Sequence, residues 1–295
     1  MIWKARWHAA TGALVALCGT ASAHPTHDET LTRLDQALVH EPGDLDLRVR
    51  RADARLRAGA LELCAADLTE VLARAPERPD ARVLKARLFA QRGQRPEAIA
   101  ELDRVLAATL FVPAARERAA LRKQAGDLAG ARADLDLALA ARPEPDGFLE
   151  RARIDRARGA PQDLVLGLAE GARRTGAIVL MEAHVEALIE QRRTAEAVGA
   201  ATAAVRAFPA APDLLLLCAR AKDAAGHRAE AMRERYQALG EIDRSLARRD
   251  SDLLRLSRVR ALLALGRARQ ARRLLAAIDA RSPGLSRALA RGTSP

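Results

Sequence analysis

The chain has 295 residues, of which 49% are apolar, 29% charged and only 2% aromatic, and its formal net charge at pH 7 is +11. So few aromatics argue against a stacking platform for nucleic acid. Apolar positions nowhere alternate with a period of two, which excludes a sheet and predicts an all-α fold.

In chain order, the first segment is a leader. Lys4 and Arg6 precede a short apolar stretch ending near Cys18, and Ala21-Ser22-Ala23 supplies the small side chains of a cleavage site. Residues 1–23 therefore read as a signal peptide, with an apolar run too short to span a bilayer. Leu17, just before Cys18, is too large for the usual lipid-attachment motif. The mature chain would start at His24, periplasmic or secreted, with no transmembrane anchor. Cleavage removes Trp3 and Trp7, and it takes the net charge from +11 to +9. Only four residues are lysine, so arginine carries the basic balance. Two explanations stand: a GC-rich coding bias, or attraction to acidic protein segments and envelope phosphates.

The new N-terminus, His24-Pro25-Thr26-His27-Asp28-Glu29, combines a free amine, two imidazoles and two carboxylates. His24 and His27 could hold copper or zinc there. Alternatively, Asp28 and Glu29 simply suit the start of a helix. Residues 24–43 form an N-terminal segment with a half-unit, residues 29–40, that would cap the helices after it.

Residues 118–143 hold two amphipathic patterns joined at Gly126-Asp127. Leu121 belongs to a first helix, and Leu128, Leu135 and Leu139 to a second, with alanines at the intervening inward positions. Gly126 gives the first helix its backbone exit, Asp127 can accept from the amides opening the second, and Pro143 stops it. The turn position recurs at Gly59, Gly93, Gly126, Gly159, Arg192 and Gly226 in steps of 33 or 34, then at Gly266 after 40, which leaves a six-residue insertion within residues 243–252. The residue opening each second helix recurs as Cys64, Ala98, Ala131, Leu164, Ala197, Ala231 and Ala271, and closing prolines as Pro42, Pro76, Pro143, Pro209 and Pro283.

Ala119, Gly126, Ala131, Leu135, Leu139 and Pro143, at this period, resemble the tetratricopeptide repeat, a helix–turn–helix unit of about 34 residues. The chain looks like an exported bacterial member of that family. The resemblance implies a solenoid, a right-handed superhelix of about seven antiparallel helix hairpins over residues 44–283, followed by a short cap and a disordered tail at 284–295. The family's aromatic positions are mostly Leu, Ala or Arg here, so packing must be aliphatic. Gly167, Gly171 and Gly176 fall in or after the second helix of the fourth unit, each interior glycine costing ~1 kcal/mol relative to alanine, and predict an irregular or frayed helix. Cys64 and Cys218, five units apart, are expected to be buried free thiols.

The resemblance further implies a non-enzymatic interaction scaffold or adaptor that binds a partner, here another envelope protein, through a concave face lined by first helices. Carried onto this sequence, that face takes Arg87, Arg116, Lys123, Arg153 and Arg156, then Glu182, Glu186 and Glu190, whose spacing of four puts them on one helix side. Such a groove would be basic in its middle and acidic beyond. If the arginines are instead paired with neighbouring carboxylates, the field largely cancels. Two alternatives stand beside the scaffold: metal handling at His24/His27, and anionic envelope ligands held by the arginine-rich groove. The chain has no asparagine, so the family's lysine–asparagine clamp for a C-terminal carboxylate has no counterpart. His40, His184 and His227 stand alone, without a nucleophile at motif spacing or a phosphate loop, so no enzyme activity and no cofactor are expected. A thinly covered C-terminal end leaves a homodimer open.

Overall fold

The computed structural model describes residues 27–281, with the backbone alone at 27 and 28. The leader, His24 and residues 284–295 lie outside the described residues. Those described form fifteen α-helices and no strand. Helix α1 (His27–His40) stands alone, and seven hairpins come after it. Their first helices are α2 (Leu45–Arg57), α4 (Pro79–Gln91), α6 (Val112–Gln124), α8 (Pro145–Ala157), α10 (Ile178–Glu190), α12 (Pro212–Ala224) and α14 (Asp252–Ala264). Their second helices are α3 (Leu61–Arg74), α5 (Arg95–Ala108), α7 (Leu128–Ala141), α9 (Pro161–Thr175), α11 (Thr194–Ala207), α13 (Arg228–Arg248) and α15 (Ala268–Arg281).

The α6–α7 hairpin shows how the sequence dictates the unit. Gly126 turns the chain at φ +84°, and the Asp127 amide donates back to the Arg122 carbonyl at 2.9 Å. Asp127 Oδ1 then accepts from the Gly130 amide at 2.8 Å, satisfying one of the orphan donors of α7. At the far end Arg142 is extended (φ −140°, ψ 97°), as a residue preceding proline prefers. Pro79, Pro145, Pro161 and Pro212 each open a helix, where the missing N–H costs nothing.

The chain divides inside α5 into two compact units, one ending at Glu101 and one starting at Leu102. The first is built around Val49, Leu56, Cys64, Leu68, Val71, Leu84 and Leu88. In the second, a large cluster centres on Phe148, Leu164, Leu168, Leu180, Leu188 and Leu214, and a further one on Ile242, Leu256, Leu262 and Ile278. All seven residues that open second helices, from Cys64 to Ala271, are buried, because this is where paired helices approach most closely. Cys64 and Cys218 are free and buried. Burial, with Asp67 and Asp53 adding, pushes the Cys64 thiol up to about 11.

One expectation changes. Helix α9 is unbroken for 15 residues, not frayed. Gly167 and Gly171 are buried in it because a side chain at either would collide with the first helix: a Cβ at 167 would stand 2.8 Å from Arg151 Nη2, and one at 171 would stand 2.6 Å from Phe148 Cγ. Close packing against α8 thus outweighs the intrinsic cost of glycine. Gly176 ends the helix at φ +66°. The six-residue insertion lengthens a helix: α13 runs for 21 residues against 14 in α11, and Ile242 and Leu246 hold its extra turns in the cluster built on α14.

A second periodic feature joins the two helices of a hairpin. Three residues after the second-helix opener sits an acid, Asp67, Glu101, Asp134 or Glu234, and basic residues 12 or 16 positions earlier reach it. Arg51 and Arg55 meet Asp67 at 2.6 and 2.7 Å, Lys85 meets Glu101 at 2.9 Å, Arg118 and Arg122 meet Asp134 at 2.5 and 2.9 Å, and Lys222 meets Glu234 at 2.7 Å. Asp67, Glu101 and Asp134 are buried. In the fourth unit Gly167 replaces the acid, and Arg151 donates to the Gly167 carbonyl at 3.1 Å instead.

Candidate partner-binding face

Within the second unit, the first helices α8, α10, α12 and α14 lie side by side in chain order. Their exposed side chains therefore form one surface, with positions one repeat apart as neighbours. Between α8 and α10 the surface opens into a cleft of about 130 Å³. Leu149, Ala152 and Ala183 line its walls, Leu164 and Leu168 of α9 form its apolar floor, and Arg153, Arg156 and Glu186 stand around it.

Three of the residues expected from sequence thus converge on one opening. The others lie elsewhere. Arg116 pairs with Glu144, and Lys123 pairs with Glu150, which also accepts from Arg153 Nη1 at 2.8 Å. The Lys123 hydrogen bond, against burial and helped by Arg153, holds the Glu150 carboxyl below its ordinary range. Arg156 Nη2 meets Glu190 Oε2 at 2.9 Å, and Arg220 Nη1 meets Glu186 Oε1 at 2.5 Å. In the first unit, Arg87 comes within 4.0 Å of Asp53. The face is therefore a mosaic of opposed charges and not one strip of positive potential. Pairs this exposed contribute about 0–1 kcal/mol each, so they exchange readily for a ligand's charges.

Glu182 is different. It is half-buried on α10, and burial first, then the neighbouring Asp213, pushes its carboxyl above the ordinary range. Asp213 accepts from Ser257 Oγ at 2.8 Å, and Arg260 lies 3.7 Å from its other oxygen. His184, half-buried in the same helix, is pushed down by burial and by Arg193. His27 heads α1 and its proposed partner His24 lies outside the described residues. Among the described residues no group of three or more His, Cys, Asp or Glu side chains is placed to hold a metal, nor is any helix long and apolar enough to cross a membrane.

Sequence reasoning missed the carboxylates and arginines that complete these pairs, Glu144, Glu150 and Arg220. The signal was available in part: Arg156 with Glu190, and Glu186 with Arg220, are each 34 residues apart, one repeat. The cleft left no such mark, since its apolar lining reads as ordinary core.

Residues 60–121 match the tetratricopeptide repeat family model, and hairpins of the same spacing and turn geometry recur on both sides of that window. Over those residues the chain carries the tetratricopeptide repeat. Proteins of this family bind other proteins, and the fold of this repeat protein suggests a protein-interaction scaffold. No curated protein matches its sequence. Among solved structures it is similar to TTC0263, a thermophilic repeat protein of Thermus thermophilus, at 18% identity and a TM-score of 0.45, covering 55% of this chain and 90% of that one. PilW, a type IV pilus biogenesis factor, matches at 17% identity and a TM-score of 0.45, covering 72% of this chain and 85% of PilW. Pseudomonas aeruginosa pilF matches at 16% identity and a TM-score of 0.45, covering 74% of this chain and all of that one, 100%. Likenesses at this level carry no functional argument for this repeat protein.

Proposed function

We propose that this protein is a non-enzymatic scaffold of the bacterial envelope that holds an extended segment of another envelope protein along the first-helix face of its second unit. The observation that carries the reading is the cleft between α8 and α10, where an apolar lining is framed by Arg153, Arg156 and Glu186. Its volume of about 130 Å³ suits an aliphatic side chain of the partner. Acidic and basic residues on either side of that anchor would exchange with the pairs Arg156–Glu190 and Glu186–Arg220. Alternating charge fixes register and direction, while burial of the anchor supplies affinity. Export through the leader supports an envelope partner.

The test is capture from envelope fractions by the wild-type chain and by two variants. Filling the cleft with A183F and reversing its rim with R153E/R156E/E186R should each lower recovery of the same partner about tenfold or more. Undiminished capture by both variants, with helicity retained, refutes this face as the binding site.

A further inference from the structure

The basic balance of this chain is not spread along it. Between residues 24 and 225 there are 31 basic and 31 acidic residues, so that stretch is neutral, whereas residues 226–281 hold 14 basic and 7 acidic. All of the excess in the described residues therefore falls in the last turn-to-turn segments, α13 to α15.

Within that region the two sides differ. On the first helix, α14, arginines are matched: Arg255 to Asp252 at 2.6 Å, Arg258 to Asp243 at 2.7 Å, and Arg260 near Asp213. On the second helices Arg235 meets Asp223 and Arg244 meets Glu241 at 2.5 Å, but four others are left bare. Arg233 of α13 and Arg269, Arg272 and Arg273 of α15 are exposed. Among the described residues none of these four meets a carboxylate, unlike the groove arginines. Positions 269, 272 and 273 share one side of α15, opposite the buried Ala271 and Ile278. Met232 and Tyr236, one turn apart on α13, are 40% and 52% exposed, and the Arg267 guanidinium lies 5.5 Å from the centre of the Tyr236 ring.

We propose that the second-helix side of α13 and α15 is a docking surface for an anionic membrane, its arginines engaging lipid phosphates and Met232 and Tyr236 entering the headgroup layer. Guanidinium groups bind phosphate oxygens in pairs, and tyrosine and methionine bring apolar bodies suited to a wet boundary. An acidic polypeptide is the weaker match. An extended chain threads along first helices, and that side of this region is already neutralised by Asp213, Asp243 and Asp252. The surface is separate from the cleft, so the two sites could act together, one holding a protein and the other placing it at a bilayer.

The experiment is flotation of the full-length chain with vesicles of phosphatidylcholine alone and of phosphatidylcholine mixed with phosphatidylglycerol. Binding is expected to the mixed vesicles only, and to disappear as the Debye length shrinks from about 10 Å at ~0.1 M salt to about 3 Å at ~1 M. R269Q/R272Q/R273Q should weaken it on the order of a hundredfold, as the loss of three charges near a surface implies. R269K/R272K/R273K, which keeps the charge, should retain most of it and controls for folding of α15. The cleft variant R153E/R156E/E186R should leave vesicle binding unchanged, which separates this surface from the partner face. Equal binding to neutral vesicles, or undiminished binding by the glutamine variant, overturns the proposal. So does binding to polyglutamate or RNA without binding to mixed vesicles.

Discussion

Gly171 lies directly against Phe148: a methyl group at residue 171 would stand 2.6 Å from Cγ and 2.9 Å from Cβ of the phenylalanine. Phe148 is fully buried at the α8–α9 contact, with the Arg151 guanidinium 5.0 Å from its ring centre. The atoms met first belong to the base of the side chain, which cannot swing away. G171A is therefore expected to destabilise the protein by about 1–3 kcal/mol, although alanine favours the helix. G199A is the control: it sits inside α11 with nothing within 4 Å of the added carbon. It should stabilise by ~0.5–1 kcal/mol. Thermal melts of the two variants should move in opposite directions.

Arg192 holds a turn that the other hairpins give to glycine, at φ +58°, the one positive value outside glycine among the described residues. That conformation costs an L-residue roughly 1–2 kcal/mol. R192G should raise the unfolding free energy by about 1 kcal/mol, less whatever glycine's freedom in the unfolded chain takes back, and the denaturation midpoint with it. A lower midpoint would mean that the arginine side chain contributes more than its backbone costs.

Asp134 is buried beneath two guanidinium groups, with Arg118 at 2.5 Å and Arg122 at 2.9 Å. D134A removes the buried carboxylate that both share, leaving Arg118 with Asp103 at 2.6 Å and Arg122 with Asp127 at 3.8 Å, and is expected to cost about 1–3 kcal/mol. Replacing the whole set by R118M/R122M/D134L should recover most of that loss, because none of the three buried charges then remains. Urea titrations of the single and triple variants decide between a pair that stabilises and one that is only costly to break.

Two glutamates give stability opposite dependences on pH. Burial alone would push Glu101 up, but hydrogen bonds from Lys85 and Arg82 outweigh it and hold the carboxyl below its ordinary range. Its contribution is full above the unfolded value and is lost as pH falls through the lowered folded one. Glu182, pushed up by burial and Asp213, contributes below the unfolded value and loses that contribution as pH rises through the raised folded one. E101Q should flatten the acid limb of the stability profile, and E182Q should gain stability at neutral pH. An unchanged profile in both variants would remove the electrostatic account of these sites.

Cys64 has no exposure and a thiol pushed up to about 11. Iodoacetamide at neutral pH should leave it unmodified in the native chain and modify it once urea unfolds the first unit. Mass spectrometry of the modified peptide reads the change directly.

The hairpins are legible residue by residue, because their determinants are local. A left-handed turn at Gly126, an accepting carboxylate at Asp127 and a proline at 143 act within a few residues of where they stand, and the step of 33 or 34 repeats them. Even the exception at Arg192 kept the turn's place. Tertiary structure decided what depends on neighbouring helices. Gly167 and Gly171 read as helix weaknesses until the side chains of Arg151 and Phe148 occupied the space they leave. The six extra residues had no assigned structure until Ile242 and Leu246, in the lengthened α13, found partners on α14. Whether the groove arginines were free or paired stayed open until carboxylates up to 34 residues away came within hydrogen-bonding distance, whereas those of α15 stayed bare. Pairing of this kind is fixed by distances across the stack, and no local pattern records it.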